Sequence, residues 1–112
     1  MALNSRDKGR RGENELSKAL NEYGYHTERM SQYCGKTGVP DVQGLFGVHI
    51  ECKRVEKLNI ETAMQQSRSD AREGEIPVVV HRRNRHGWLV TMDLDKWIEL
   101  YKVWENESKD RQ

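Results

Sequence analysis

The stretch GVPDVQGLFGVHIECKR, residues 38–54, places an aspartate, a glutamate and a lysine inside what otherwise reads as apolar strand. Burying charge is costly unless the groups are paired or hold a metal. Strand alternation puts Val48, Ile50 and Cys52 on one face, and His49, Glu51 and Lys53 on the other. Asp41 opens the preceding strand, and a short hairpin brings its carboxylate towards Glu51. Two carboxylates that converge repel each other unless something positive lies between them. A hard divalent cation with oxygen ligands meets that need, and Mg²⁺ commonly takes one or two carboxylates while keeping several waters. Lys53 then stands where an amine can orient or deprotonate a water, or stabilise charge developing on a phosphate. The plainer reading is a salt-bridged polar face, with Lys53 neutralising Glu51 and Asp41 capping a turn.

The elements that must position these residues are readable from periodicity. GENELSKALNEYG spaces Leu16, Ala19, Leu20 and Tyr23 as one helix face, predicting a first helix over residues 11–23 with Gly24 at its cap. Residues 25–33 read as a strand, and CGKTGVP as a loop. DVQGLF and VHIECKRV read as two strands joined in a tight turn near Gly47. LNIETAMQQSRSDAREG predicts a helix capped by Asn59 and stopped at Gly74. IPVVVHRR is a buried strand paired with HGWLVTM across the turn RNRHG. LDKWIELYKVW predicts a closing amphipathic helix with Leu94, Trp97, Ile98, Tyr101 and Trp104 near one face. The order α-β-β-β-α-β-β-α is that of an α/β domain, a mixed sheet flanked by helices. The expected organisation is a flexible basic arm over 1–10, a single domain over 11–105 and a frayed tail over 106–112.

Pro40-Asp41 followed by Glu51-x-Lys53 resembles the core motif of the PD-(D/E)XK nuclease superfamily. KGRRGENEL is similar to the opening of archaeal-type Holliday junction resolvases and related phage nucleases, in which a Gly-x-x-x-Glu pattern starts the first helix. Gln66 matches the glutamine that several branches place on the helix after the motif lysine. The resemblance runs from about residue 8 to about residue 92. It implies a restriction-endonuclease-like core in which Asp41 and Glu51 bind the metal, with the Cys52 carbonyl as a backbone ligand. It further implies that Lys53 acts on the attacking water, that Glu13 holds a second metal or its water, and that Gln66 steadies Lys53 or the scissile phosphate. Glu13 lies three and seven positions before Leu16 and Leu20, on the buried side. Glu15 is turned about 200° away, towards solvent. Gln65 is the rival of Gln66, and the spacing from Ala63 favours Gln66. The resemblance would also make a hydroxyl before Asp41, that of Ser31 or Thr37, a phosphate contact, where the plainer reading is a loop-forming residue. The cofactor implied is Mg²⁺, with Mn²⁺ able to substitute. The activity implied is hydrolysis of DNA phosphodiester bonds, leaving 5′-phosphate and 3′-hydroxyl ends, on branched or Holliday-junction DNA by a homodimer. Other phage-type repair, recombination or restriction-like nucleases share the chemistry, and a catalytically silent DNA-binding module would share the fold.

Composition agrees with a small charged domain. Of 112 residues, 35% are hydrophobic and 33% charged, so the core is modest and the surface polar. The net charge of +1 does not speak for or against an anionic partner, but its distribution does. Arg6, Lys8, Arg10 and Arg11 form one basic cluster, and Arg82, Arg83 and Arg85 form another beside His81 and His86. Both suit contact with DNA phosphates. Cys34 and Cys52 lack metal-site spacing, and the four histidines are scattered, which argues against zinc or a histidine-based centre. With no apolar leader and no run of membrane length, the expectation is a cytoplasmic protein of a prokaryotic or phage-infected host cell, with free thiols and no membrane contact.

Overall fold

The computed structural model of the protein describes residues 5–30 and 40–111, with side chains from Lys8 onward. Ser31, Cys34 and Thr37 lie outside the described residues. The elements are α1 (Ser5–Asn21), β1 (Glu28–Arg29), β2 (Val42–Gln43), β3 (Val48–Arg54), α2 (Ile60–Asp70), β4 (Ile76–Arg82), β5 (Leu89–Met92) and α3 (Leu94–Asp110). This is the order the sequence predicts. The strands form one mixed sheet in the order β1-β2-β3-β4-β5. β3 and β4 run parallel from Val48↔Ile76 to Arg54↔Arg82, and the other neighbours are antiparallel. A parallel pair needs a crossover connection, and α2 supplies it.

Alternation on the central strands sorts the core into two layers. On the α1 side, Leu16 packs with Val42, Ile50, Cys52, Val78 and Val80. On the other side, Ala63 and Met64 of α2 cover Val79. Ser67 is fully buried beside them, its hydroxyl donating to the Val78 carbonyl at 3.0 Å. Parity along β3 therefore decides which helix a side chain meets. Ile50 and Cys52 meet α1, whereas His49, Glu51 and Lys53 belong to the α2 side. The expected cap of α2 is present, with Asn59 Oδ1 accepting from the Thr62 N–H at 3.1 Å. The helix ends at Asp70, a turn before the predicted stop, and Gly74 serves instead in the turn into β4 with φ +88°.

Three expectations need correction. α1 begins at Ser5, so residues 5–10 are helix rather than a flexible arm. Gly9 and Gly12 weaken the helical pattern there, but a helix nucleated downstream extends at little further cost. α3 runs to Asp110, so residues 106–110 are helical and not frayed. That helix also does not close the domain, because none of its residues is buried. Leu94, Trp97, Tyr101 and Trp104 are all exposed.

Gly12 sets how closely α1 approaches β3. A Cβ at this position would lie 2.6 Å from Arg54 Cβ, too short for any real contact, whereas one at Gly9 meets nothing within 4 Å. Gly9→Ala should therefore stabilise the protein by about 0.5–1 kcal/mol through helix propensity. Gly12→Ala should destabilise it by about 1 kcal/mol or more, because overpacking outweighs the same gain. Urea denaturation of the two variants checks the contrast, and equal stabilisation by both would show that the helix does not press on β3.

Candidate active site

Asp41 sits where β2 begins. Its N–H donates to the Ile50 carbonyl at 2.9 Å, and its carbonyl accepts from the Met30 N–H at 2.9 Å. The next bond along β3 is made by its side chain: the Cys52 N–H donates to Asp41 Oδ2 at 2.8 Å. A carboxylate thus takes the place of a backbone partner on the central strand. That bond holds the Asp41 carboxyl within hydrogen-bonding reach of the Glu51 carboxyl, on the same side of the sheet.

Glu51 is only 4% exposed. Burial first, then the neighbouring Asp41, pushes its pKa up to about 8. Lys53 pulls the other way, its Nζ 3.9 Å from Glu51 Oε1. Glu13, on α1, is equally buried and lies near enough to Asp41 to feel its charge. Its pKa is pushed up to about 7 by burial and by the charge of Asp41, partly offset by Arg29, whose Nε lies 3.6 Å from Glu13 Oε1. Asp41 therefore acts on two buried carboxylates, Glu13 from α1 and Glu51 on β3, and ionisation of all three is unfavourable. That is the electrostatic condition a divalent cation relieves, and oxygen donors of this kind fit Mg²⁺ or Mn²⁺. Cys52 turns its thiol into the α1-side core, where burial and then Asp41 raise its pKa far above the ordinary range. This rules against a thiolate nucleophile.

His49, Glu51 and Asp70 form a second grouping, with one ligand atom from each lying within 4.8 Å of the others. His49 is fully buried, and its Nδ1 has no hydrogen-bond partner among the described residues. Burial lowers its pKa and keeps the ring neutral. Strand alternation places His49 on the face of Glu51, but the scattered spacing of the histidines gave no sign of a joint site with Asp70. The signal was there in the two-residue spacing from Glu51 and in the seven-residue spacing of Asp70 from Ala63. Gln66 does not face inward as expected. It is exposed, as is Gln65, and the packed face of α2 is Ala63, Met64 and Ser67. At about 100° per residue, Gln66 falls roughly 110° from the centre of that face and Gln65 roughly 150°, so Gln66 flanks the sheet more closely.

Lys8, Arg11 and Arg54 meet on one surface. A groove of about 480 Å³ is lined by Lys8, Arg11, Gly12, Glu15, Arg54 and Asn84, joining the start of α1 to the end of β3 and the β4–β5 turn. Glu15 does not point freely to solvent. It pairs with Arg54 at 3.2 Å and with Arg82 at 2.8 Å. Arg82 is further engaged over the Trp88 ring, 5.7 Å from its centroid. Arg83 and Arg85 are exposed at the turn, and Lys8, Arg10 and Arg11 are exposed on α1, whereas the Arg6 side chain lies outside the described residues. Arg54 was missed in the sequence because it follows the Glu-x-Lys motif without belonging to a cluster.

A family described as "Phage putative PDDEXK endonuclease" matches residues 4–111 of the chain. Comparison with curated proteins returns no significant match. Among solved structures, the chain is similar to Hjc of Archaeoglobus fulgidus, a Holliday junction resolvase from an archaeal hyperthermophile. The TM-score is 0.58 at 23% identity, covering 76% of this chain and 72% of that one. The likeness supports the restriction-endonuclease-like fold expected from the sequence. Among the described residues, no helix is long and apolar enough to cross a membrane.

The raised carboxylates fix the sign of a pH effect. The ordinary carboxylate value is 4.5, and the folded values are about 7 for Glu13 and about 8 for Glu51. Between 4.5 and about 8 the folded state binds more protons than the unfolded state, so metal-free stability should fall as pH rises through that window. Urea midpoints measured in chelator at pH 5 and pH 8 should show the drop. Mn²⁺ should restore stability at pH 8 and do little at pH 5. Glu51→Gln should flatten the profile, and an unchanged slope in that variant would remove Glu51 as the source.

Proposed function

The chain belongs to the phage PDDEXK endonuclease family, and on that footing we propose that it is a Mg²⁺-dependent endodeoxyribonuclease acting on branched DNA. The observation that supports this reading is the contact of Asp41 with the buried Glu51, with Lys53 beside Glu51 and the buried Glu13 near Asp41. Asp41 and Glu51 would hold the cation, with the Cys52 carbonyl as a backbone ligand, and Glu13 would hold a second cation or a metal-bound water. When bound, the cation supplies Lewis-acid stabilisation of charge at a scissile phosphate. Mn²⁺ substitutes for it.

The remaining roles fall to the chain itself. Asp41 is held by the Cys52 N–H, so its free oxygen is directed without a loss of side-chain entropy at each turnover. Lys53, about one-third exposed, presents its ammonium to solvent at the edge of the carboxylates. There it orients the attacking water or donates to a phosphate oxygen as negative charge builds. Gln66, on the flank of α2, steadies the same phosphate. The products are 5′-phosphate and 3′-hydroxyl ends. Arg6, Lys8, Arg10, Arg11, Arg83 and Arg85 contact the DNA backbone, and Arg54 joins them through the groove. Arg82, paired with Glu15, shapes that groove more than it grips phosphate. The branched substrate is suggested by the resolvase of the same fold, and a two-fold homodimer would offer two sites to two strands. Such an enzyme works in the cytoplasm of the host cell.

Asp41→Asn is the sharpest test, since the amide oxygen still accepts from the Cys52 N–H while the charge is lost. That variant and Lys53→Ala should each lose roughly 100-fold or more of cleavage with the fold intact. Synthetic four-way junctions assayed against linear duplex, flaps and single strands, with Mg²⁺ and with chelator, check both chemistry and substrate. Undiminished metal-dependent cleavage by either variant would refute the site, and preference for linear duplex would refute the branched substrate.

A further inference from the structure

β3 and α2 meet at a point for which the nuclease centre does not account. His49 and Glu51 lie two residues apart on the face of β3 that α2 covers, and Asp70 is the last residue of that helix. One turn earlier, Ser67 is fully buried, its hydroxyl donating to the Val78 carbonyl at 3.0 Å and reaching the His49 carbonyl at 3.5 Å. The end of α2 is thereby held against β3 beside His49. One donor atom from each of His49, Glu51 and Asp70 lies within 4.8 Å of the other two.

Two acids in such a place would be no more than a polar seam. The histidine changes that. His49 is 1% exposed, and its Nδ1 makes no hydrogen bond among the described residues. Glu75 Oε1 stands 3.9 Å from it, too far for a bond, and already accepts the Arg72 N–H at 2.7 Å. Native interiors seldom leave a polar atom in this condition, and an ion is one way to satisfy it. Lys53 Nζ is likewise beyond hydrogen-bond length from Glu51, at 3.9 Å. Asp70 closes α2 at the end where the carbonyl dipoles oppose a carboxylate and favour a cation.

The donor set selects the ion. Mg²⁺ prefers oxygen ligands and gives up its water reluctantly. An imidazole beside two carboxylates suits a first-row transition ion, of which Zn²⁺ is the commonest in such sets. Bonds of about 2.0–2.2 Å set the ligand atoms of a tetrahedral ion roughly 3.4 Å apart, so a closure of about 1 Å completes the set. Asp70, half-buried at a helix end, is free to make it.

We propose that His49, Glu51 and Asp70 form a transition-metal site of Zn²⁺ type on the α2 side of β3. The site shares Glu51 with the Mg²⁺ centre proposed above, but it rests on no assumption about cleavage.

Zn²⁺ titrated into the metal-free full chain should shift the ring nitrogens of His49 in ¹⁵N NMR spectra and leave those of His26, His81 and His86 in place. Mg²⁺ alone should not move them. Calorimetry should show that Asp41→Asn binds Zn²⁺ within a few-fold of the wild type, because Asp41 belongs only to the other centre. Asp70→Ala and His49→Gln should each weaken Zn²⁺ binding at least as much as the ~10–100-fold that loss of a ligand's hydrogen-bond partner costs. Asp70 is only half-buried, so its variant should keep the far-UV spectrum of the wild type, and the test does not hang on a substitution inside β3. Zn²⁺ binding that leaves the His49 resonances in place, survives Asp70→Ala or is lost in Asp41→Asn would overturn the proposal, as would no binding at micromolar Zn²⁺. Mg²⁺-dependent cleavage by the wild type is read separately. Its absence beside His49-dependent Zn²⁺ binding would sink the nuclease reading alone, and its presence without such binding would sink the new site alone.

Discussion

The bond from the Cys52 N–H to the Asp41 carboxylate organises the region that matters most. It sits at the start of β2, where the ladder with β3 passes from backbone to side chain. Because the acceptor is a carboxylate, ending the ladder there also delivers a negative charge beside Glu51. Glu51 cannot retreat, since its strand is paired on both sides and its face is covered by α2. Glu13 is held near Asp41 by α1, which comes close to β3 because position 12 has no side chain. Folding thus assembles an electrostatic tension that a monovalent amine such as Lys53 only partly relieves. Strong perturbation of titrating groups by burial and by each other is the usual mark of a functional centre.

Much of this was legible in the sequence. The two-residue alternation of VHIECKR places Glu51 and Lys53 together, and the same rule puts Cys52 in the opposite core. Element order followed from helical and strand periodicities and from Asn59 as a cap. Other features were hidden for physical reasons. Apolar spacing in α3 marks a face that needs cover, but cannot say whether the cover belongs to the same chain. The early start of α1 was masked by two glycines whose helical state depends on the residues after them. Gln66 was misplaced because a single apolar neighbour, Ala63, does not define the centre of a helix face. Met64 and Ser67 move that centre away. Ser67 is the instructive one, a polar residue that is buried because its hydroxyl reaches the Val78 carbonyl.

Long-range ion pairs were also beyond sequence reading. Glu15 looked solvent-facing from its place on α1, yet it bridges Arg54 and Arg82 from two different strands. The pairing takes one arginine out of the basic set and adds another to the groove. It also explains how a chain of net charge +1 presents a basic surface: acidic residues are enriched on α3, away from the groove.

The parallel pairing of β3 with β4 carries a kinetic consequence. Val48 meets Ile76 and Arg54 meets Arg82 only after the whole intervening crossover has been laid down. Such non-local ladders form late, because chain closure must be completed before the contacts reward it. Until then Glu51 stays hydrated and indifferent to its acidic neighbours. A chain still emerging during translation would hold an inert hairpin, and competence would arrive together with the finished sheet.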